Sequence, residues 1–481
     1  METILKNLKE HKNQKESSSD SKLKTRNSKQ KRPIPYLPHT DEDRREMLDF
    51  LGVQTIDDLL KSIPKELRNF ELNIPRGKSE IEIIEDFLKL SAKNISLNKQ
   101  ISFCGGGVYN RFVPSVVGEI ISKGDFYTAY TPYQSEASQG TLQAIYEFQT
   151  VVCNLTGMDA ANASVYDGAT AVIEAALMAC RLTKRKKIVI AKNINPEAIE
   201  VCKTYSWGAN LKLSFVDFKD GIVDLKELEK VTDNETACLV ISYPNFAGCI
   251  EPVQEIAKIV HGKGALLISS VDLINLSMLK SPKDLGIDIV VGDGQALGNL
   301  PNYGGPHVGF ISCLKESIRQ LPGRIVGLTK DVKGNRAFTL TLQTREQHIR
   351  RENATSNICT NQSLNALAVL IYLTYMGPFG LKRIAEISLN RAHYLASEIV
   401  KTTGKKCKLA FNSPFFNEFV LELPIPACEL IIKLQEKNIL AGLDLNGIDG
   451  YKTNQILVTV TEMNSIEQIN YFVEKIKELF S

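Results

Sequence analysis

YTAYTPYQSEASQGTLQAIYEFQTVVCNLTGMDAANASVYDGATAVIEAALMAC, from Tyr127 to Cys180, is the stretch from which the rest of the chain is read. Tyr130, Thr131, Pro132, Tyr133 and Gln134 form a stiff aromatic turn, and a helix is expected over Gly140–Thr156. Asp167, Gly168, Ala169 and Thr170 then open a second helix built almost entirely of small and apolar residues. Free backbone N–H groups beside glycine and a hydroxyl suit a bound phosphate. An ordinary capped core helix has the same opening, and the residues alone leave both readings open.

Downstream of this stretch the pattern becomes strands alternating with helices. Strands are expected at Lys187–Ala191, Leu213–Val216, Ala237–Ser242, Ala265–Ser269, Asp288–Gly292 and His307–Cys313. Helices are expected at Pro196–Tyr205, Leu225–Val231 and Glu251–Gly262. Continuous apolar strands separated by helices imply a mostly parallel sheet covered on both faces. Ligands in such sheets sit beyond the carboxyl ends of the strands. Tyr243–Phe246, Asp272 and the loop Gly294–Pro306 fall there. After an apolar helix at Ser363–Tyr375 and the break Met376-Gly-Pro-Phe-Gly380, a smaller α+β unit is expected. It has helices at Leu381–Thr402, Ala427–Lys437 and Ser465–Leu479, and strands at Glu418–Leu423 and Gln455–Val460.

Upstream, residues 1–33 read as a disordered basic tail. The first 32 hold ten Lys or Arg against four Asp or Glu and few apolar residues after Leu8, too little apolar surface to offset the entropy of ordering. Pro33–Pro38 is a proline-rich arm, and Thr40 caps a helix bearing Met47, Leu48 and Leu51. Further helices at Asp57–Lys61 and about Ser79–Ser91 complete an N-terminal helical arm, residues 34–95. The large α/β domain is placed at 96–350, and the connecting helix with the small domain at 351–481.

The bulk numbers exclude several classes. A net charge of +3 over 481 residues points to neither a nucleic-acid nor a membrane partner, and no apolar run approaches the roughly 20 residues of a spanning helix. The ten cysteines are scattered, with no Cys-x-x-Cys pair, and the six histidines lack metal-ligand spacing. Free thiols in a reducing, cytoplasmic setting and no metal are therefore expected; the basic extension leaves an organelle address open. Phe103-Cys-Gly-Gly-Gly-Val-Tyr109 is a glycine-rich loop without the Gly-Lys-Ser/Thr of a nucleotide P-loop. Its glycines allow close approach to a ligand or simply a tight turn. Gln343 to Thr360 gathers Arg345, His348, Arg350 and Arg351 among carboxylates, as a solvated face or a site at a domain junction for an anion or a partner subunit.

Several long strings occur in the order of one family. They are Pro35–Val53, VPSVV (113–117), YTAYTPYQ, DGATA, YPNFAGCIEP (243–252), the Gly304-Gly-Pro-His307 turn and TREQHIRRENATSNICT (344–360). Together they resemble the glycine cleavage system P-protein, a pyridoxal-phosphate glycine decarboxylase, and within it subunit 1 of the forms split into two chains. The resemblance implies pyridoxal-phosphate fold type I, aspartate-aminotransferase-like, with a seven-stranded large domain and a smaller C-terminal α+β domain. In that fold a lysine holds the cofactor as a Schiff base and an Asp faces its pyridine nitrogen. Asp272 is expected in the Asp role.

No lysine lies between Lys283 and Lys315, and Gln295 falls near the Schiff-base position. Gln forms no aldimine, so no catalytic residue is assigned within this chain. Gly168, Ala169, Thr170, Asp272 and Gln295 would line a degenerate cofactor pocket. By resemblance, subunit 2 carries the lysine in an α2β2 assembly. Glycine is decarboxylated through an aldimine there, and the aminomethyl group passes to the lipoyl arm of H-protein. Tyr130–Gln134 are expected to line the partner's pocket or the interface. Arg345, His348, Arg350 and Arg351 are expected to meet subunit 2 or H-protein. His307 is read as a structural histidine in preference to a general base. Asn110-Arg111 departs from the family's wording, so no role is assigned to that loop. Two other readings remain: a self-sufficient enzyme using Lys280 or Lys192, and a non-enzymatic interaction module.

Overall fold

The computed structural model describes residues 38–68, 73–75, 77–302 and 305–480. The basic tail, the proline-rich arm as far as Leu37, and Gly304 of the glycine–proline turn lie outside them. The chain divides between Ser91 and Ala92 into two units.

In the first unit, Thr40 and Asp43 form a reciprocal capping box that starts α1 (Asp41–Phe50). Thr55 and Asp58 do the same for a single turn at Ile56–Leu59. The third helix, α2, spans Glu80–Ser91. None of the three buries a residue within the unit, and Phe50, Ile81, Phe87 and Leu88 are exposed.

The second unit is organised on two sheets. Two helices flank the first strand of the larger one, α3 (Gln139–Thr156) before it and α4 (Gly168–Thr183) after it. The strands are β1 (Ala160–Ala161), β2 (Lys187–Ala191), β3 (Lys212–Val216), β4 (Thr236–Tyr243), β5 (Leu266–Val271), β6 (Ile289–Asp293) and β7 (Gly309–Cys313). They make a seven-stranded sheet in the order β1-β7-β6-β5-β4-β2-β3. The strands from β6 to β3 run parallel, and β7 is antiparallel to both β6 and β1. Every residue of β2, β4 and β7 is buried, as expected of strands covered on both faces. The crossovers include α5 (Pro196–Gly208), α6 (Leu225–Val231) and α7 (Val253–Gly262).

A two-stranded hairpin then appears where no strand was expected, β8 (Ile325–Lys330) with β9 (Arg336–Thr341). Its strands mix apolar, polar and basic residues because only one end packs: Val326, Phe338 and Leu340 are buried against Leu142 and Ile145 of α3. The expected helices on either side of Met376–Gly380 join as one kinked helix, α8 (Ser363–Thr402), broken at Gly377 and Pro378. By length and composition α8 is apolar enough to cross a membrane, which corrects the expectation from apolar runs. Half of its most apolar window is buried in the protein's own core. The second sheet comprises β10 (Lys408–Leu409), β11 (Glu418–Glu422), β12 (Leu443–Asp444) and β13 (Gln455–Thr459), in the antiparallel order β10-β11-β13-β12. The helices α9 (Ala427–Gln435) and α10 (Ile466–Phe480) accompany it.

Candidate functional site

The carboxyl ends of β5 and β6 bring Asp272, Asp293 and Gln295 together, and the start of α4 joins them. The Asp167 side chain accepts from the Thr170 N–H at 2.7 Å, which caps the helix. Asp293 Oδ2 accepts from the Gly168 N–H at 2.8 Å, and Asp293 Oδ1 accepts from the Gln295 N–H at 2.8 Å. His307 Nδ1 lies 3.3 Å from Asp293 Oδ2. That hydrogen bond holds the imidazole above its ordinary pKa, so His307 belongs to the support of the helix start.

Gln295 is 1% exposed and its amide is fully engaged. Its Oε1 accepts from the Tyr109 N–H at 2.8 Å, and its Nε2 donates to the carbonyls of Tyr109 (3.1 Å) and Asn299 (2.8 Å). A carboxamide bridging a backbone donor and acceptor in this way is a clamp on the glycine-rich loop.

That loop approaches the chain's own second sheet. The Gly106 N–H donates to Glu418 Oε1 at 2.8 Å, and Tyr109 Oη donates to Glu418 Oε2 at 2.9 Å. A Cβ on Gly105 would sit 2.1 Å from Thr459 Oγ1 and 2.6 Å from Glu418 Oε1, so the glycine is required by contact with this protein itself. Burial raises the Glu418 carboxyl above the usual range, although the Gly106, Thr459 and Tyr109 donors pull against it. Arg111, left without a role by sequence, is 3% exposed and central. Its Nη1 donates to Glu462 at 2.7 Å and to Ser388 Oγ at 3.0 Å, while Nη2 lies 4.0 Å from Asp272 Oδ2. Burial disfavours the guanidinium charge, but Glu462 and Asp272 outweigh it and raise the pKa. Burial raises the Asp272 carboxyl, with Arg111 opposing. Along the same edge, Glu251 accepts from Asn193 and Asn245 at 2.6 Å each and from the Val223 N–H at 3.0 Å. Burial pushes it up to about 7.

These residues do not fit pyridoxal phosphate. The residue expected from sequence near the Schiff-base position is a clamped glutamine, and two carboxylates already occupy the helix start where a phosphate would meet like charge. The charge facing Asp272 is supplied by Arg111. The five pocket residues expected from sequence are therefore together; Gln295, Gly168 and Thr170 are paired within the chain, while Asp272 Oδ2, Arg111 Nε and Nη2, and His307 Nε2 are buried without a hydrogen-bond partner.

The aromatic turn lies elsewhere. Pro132 is buried while Tyr130, Tyr133 and Gln134 are exposed, Tyr130 at 81%. The Tyr133 N–H donates to the Thr131 carbonyl at 2.8 Å, which closes the turn. Arg324, immediately before β8, is 6% exposed and reaches Tyr133. Its Nη2 donates to Tyr133 Oη at 3.1 Å and to the Cys359 carbonyl at 2.6 Å. Its Nη1 donates to Asn361 Oδ1 at 3.4 Å, and Glu346 Oε2 lies 3.6 Å from Nε. The edge of His348 meets the Tyr133 ring at 5.7 Å. The turn and the basic segment are thus one surface, joined by an arginine that carried no signal in the sequence. Within the segment the structure separates Arg345 from the rest. Its guanidinium turns inward to the carbonyls of Leu321, Leu342 and Gly323, and burial lowers its pKa. His348, Arg350 and Arg351 face outward.

The model of the glycine cleavage system P-protein family matches residues 34–476. A probable glycine dehydrogenase (decarboxylating) subunit 1 of Chloroherpeton thalassium is 49% identical over 93% of this chain and 100% of its own length. That of Carboxydothermus hydrogenoformans is 47% identical over 92% of this chain and 99% of its own. A crystal structure of glycine decarboxylase (P-protein) of the glycine cleavage system, in inhibitor-bound form, superposes with a TM-score of 0.85 at 39% identity. It covers 93% of this chain and 100% of that one. A sphingosine-1-phosphate lyase from Burkholderia pseudomallei, at 12% identity and a TM-score of 0.62, shares the fold over 86% of this chain and 93% of its own. The fold is therefore pyridoxal-phosphate fold type I, and the chain belongs to the glycine cleavage system P-protein family.

Proposed function

We propose that this chain is subunit 1 of a two-chain glycine-decarboxylating P-protein and contributes a face, not a cofactor, to the reaction. The observation that carries the reading is Gln295, expected from sequence near the Schiff-base position, and buried with its amide spent on Tyr109 and Asn299. A chain so arranged needs a homologous subunit 2 bearing the lysine, in an α2β2 assembly. The decarboxylation of glycine then belongs to the pyridoxal phosphate of subunit 2. The aminomethyl group leaves on lipoylated H-protein, and the isolated chain is inactive.

What this chain supplies is the Tyr130–Gln134 turn, set against the subunit 2 pocket. Exposed rings on a turn anchored by buried Pro132 would exclude water, and Gln134 would orient a polar group. His348, Arg350 and Arg351 would face an acidic surface of subunit 2 or of H-protein. The experiment is Tyr133→Ala in the assembled complex, read as glycine decarboxylation. A loss of tenfold or more with assembly intact is the expected result, and unchanged turnover would remove the turn from the site.

A further inference from the structure

Arg324 is almost wholly buried, yet its guanidinium touches three separate pieces of chain. It donates to the Tyr133 hydroxyl, the Cys359 carbonyl and the Asn361 side chain, and its Nε stands 3.6 Å from Glu346. The guanidinium carbon also lies 5.5 Å from the centre of the Tyr133 ring. Its own backbone is immobilised. The Arg324 carbonyl accepts from the Ala163 N–H at 2.8 Å, and the next residues are tied to α3 through Gln149 and Val326, at 2.9 Å in each direction. Arg345 clamps the preceding turn at the Leu321 and Gly323 carbonyls. Gly323 adopts a φ of +82°, and a Cβ there would approach Asn162 to 3.1 Å.

A planar five-donor fork on a fixed base sets the orientation of what it holds. The Tyr133 ring, half exposed, has few restraints besides this fork and the edge of His348. Nε of Arg324 and Oε1 of Glu346 are buried without a hydrogen-bond partner. A charged pair is thus kept in place at some cost, where a packing role would be met by an apolar side chain.

We propose that Arg324 is a positioning residue for the reaction: it fixes the Tyr133 hydroxyl and ring at the site shared with subunit 2, and acts through Tyr133 alone. This rests on the reading that the aromatic turn lines that site.

The test is a double-mutant cycle in the assembled two-subunit enzyme, with Arg324→Lys, Tyr133→Phe and the pair, and with Tyr133→Ala as reference. Steady-state glycine decarboxylation and size-exclusion chromatography of the complex are both read. Arg324→Lys and Tyr133→Phe should each lower kcat about tenfold, as loss of a charge-assisted hydrogen bond does, with KM for glycine within about twofold. The double variant should be no slower than the slower single one. Multiplying losses, or an Arg324→Lys enzyme with normal kcat, would overturn the inference. If Arg324→Lys fails to assemble, Tyr133→Phe decides, because it deletes only the hydroxyl that Arg324 holds. Normal kcat in that variant beside an impaired Tyr133→Ala overturns the role of Arg324 and leaves the aromatic turn standing. Normal kcat in Tyr133→Ala instead overturns the reading beneath it.

Discussion

Two regions carry the family's sequence signature in this chain, and they have opposite physical characters. Around Gln295 most polar groups close on one another, with Arg111 Nε and Nη2, Asp272 Oδ2 and His307 Nε2 left unpaired in the interior. Arg111 is answered by Glu462 and Asp272, Glu418 by Gly106, Tyr109 and Thr459, and the start of α4 by Asp167 and Asp293. Around Tyr130–Gln134 the rings and amide stand in solvent on a rigid base, with outward basic groups beside them. A region kept for chemistry of its own would leave donors and acceptors for a ligand, whereas a region kept for shape satisfies them internally. On that criterion the Gln295 clamp and the Glu418 contacts act as a strut, and the aromatic edge is the part that stands open to a partner.

Breaking the interior around Gln295 should have the largest effect. Arg111→Ala leaves Glu462 and Asp272 facing each other in the interior without their cation. By the cost of stranding a buried charge it should destabilise the chain by about 3–5 kcal/mol, measured by denaturant unfolding. A loss below about 1 kcal/mol would show that the pocket is looser than described.

Gln295→Lys is the next largest, since an amine there removes the acceptor for the Tyr109 N–H and buries a charge. Stability should fall by about 2–4 kcal/mol, and no borohydride-reducible absorbance should appear with pyridoxal phosphate. A reducible band would mean that the carboxylates at the helix start still admit a phosphate.

How much of this contrast the residues disclosed follows from the range of the interactions. The apolar runs at Lys187, Thr236 and Gly309 declare buried strands because the signal lies within each run. The Asp167–Thr170 opening declares a helix start for the same reason. Gln295 was legible as an absence of lysine. Its role as a clamp was not, since Tyr109 lies 186 residues away. Arg111 looked like a departure from pattern until Glu462, 351 residues on, supplied its partner. The hairpin of β8 and β9 escaped for a different reason: Gly327 interrupts β8 and Leu328 is exposed, so that strand does not alternate cleanly, and the alternation in β9 covers only Phe338 to Thr341.

Glu251 gives a smaller, pH-dependent measure of closure along the same edge. Its folded pKa is raised to about 7, so the folded state holds a proton that the unfolded state releases near 4.5. Its favourable contribution is complete below about pH 4.5 and disappears as pH rises through 7. The stability of the native chain relative to Glu251→Gln should fall by up to about 3 kcal/mol as pH rises across that window, followed by thermal unfolding. A difference independent of pH would show that Glu251 is ionised throughout.

On the open edge the effect on stability should be smallest and the effect on partners largest. Arg350 is exposed, and its Nε donates only to the Thr344 carbonyl at 3.2 Å. Arg350→Glu should change stability by no more than about 0.5 kcal/mol. It should weaken assembly with subunit 2 or raise the KM for H-protein about tenfold, with stronger effects at low salt. Unaltered assembly and KM would free this segment from any role in docking.

The most direct test of the central claim is an absorbance scan of the purified chain with pyridoxal phosphate. It is taken before and after borohydride, alone and with subunit 2. A reducible band that appears only when subunit 2 is present, trapped on a lysine of that partner, is the predicted result. A reducible band in this chain alone, trapped on Lys192, Lys280 or another of its own lysines, would contradict the account.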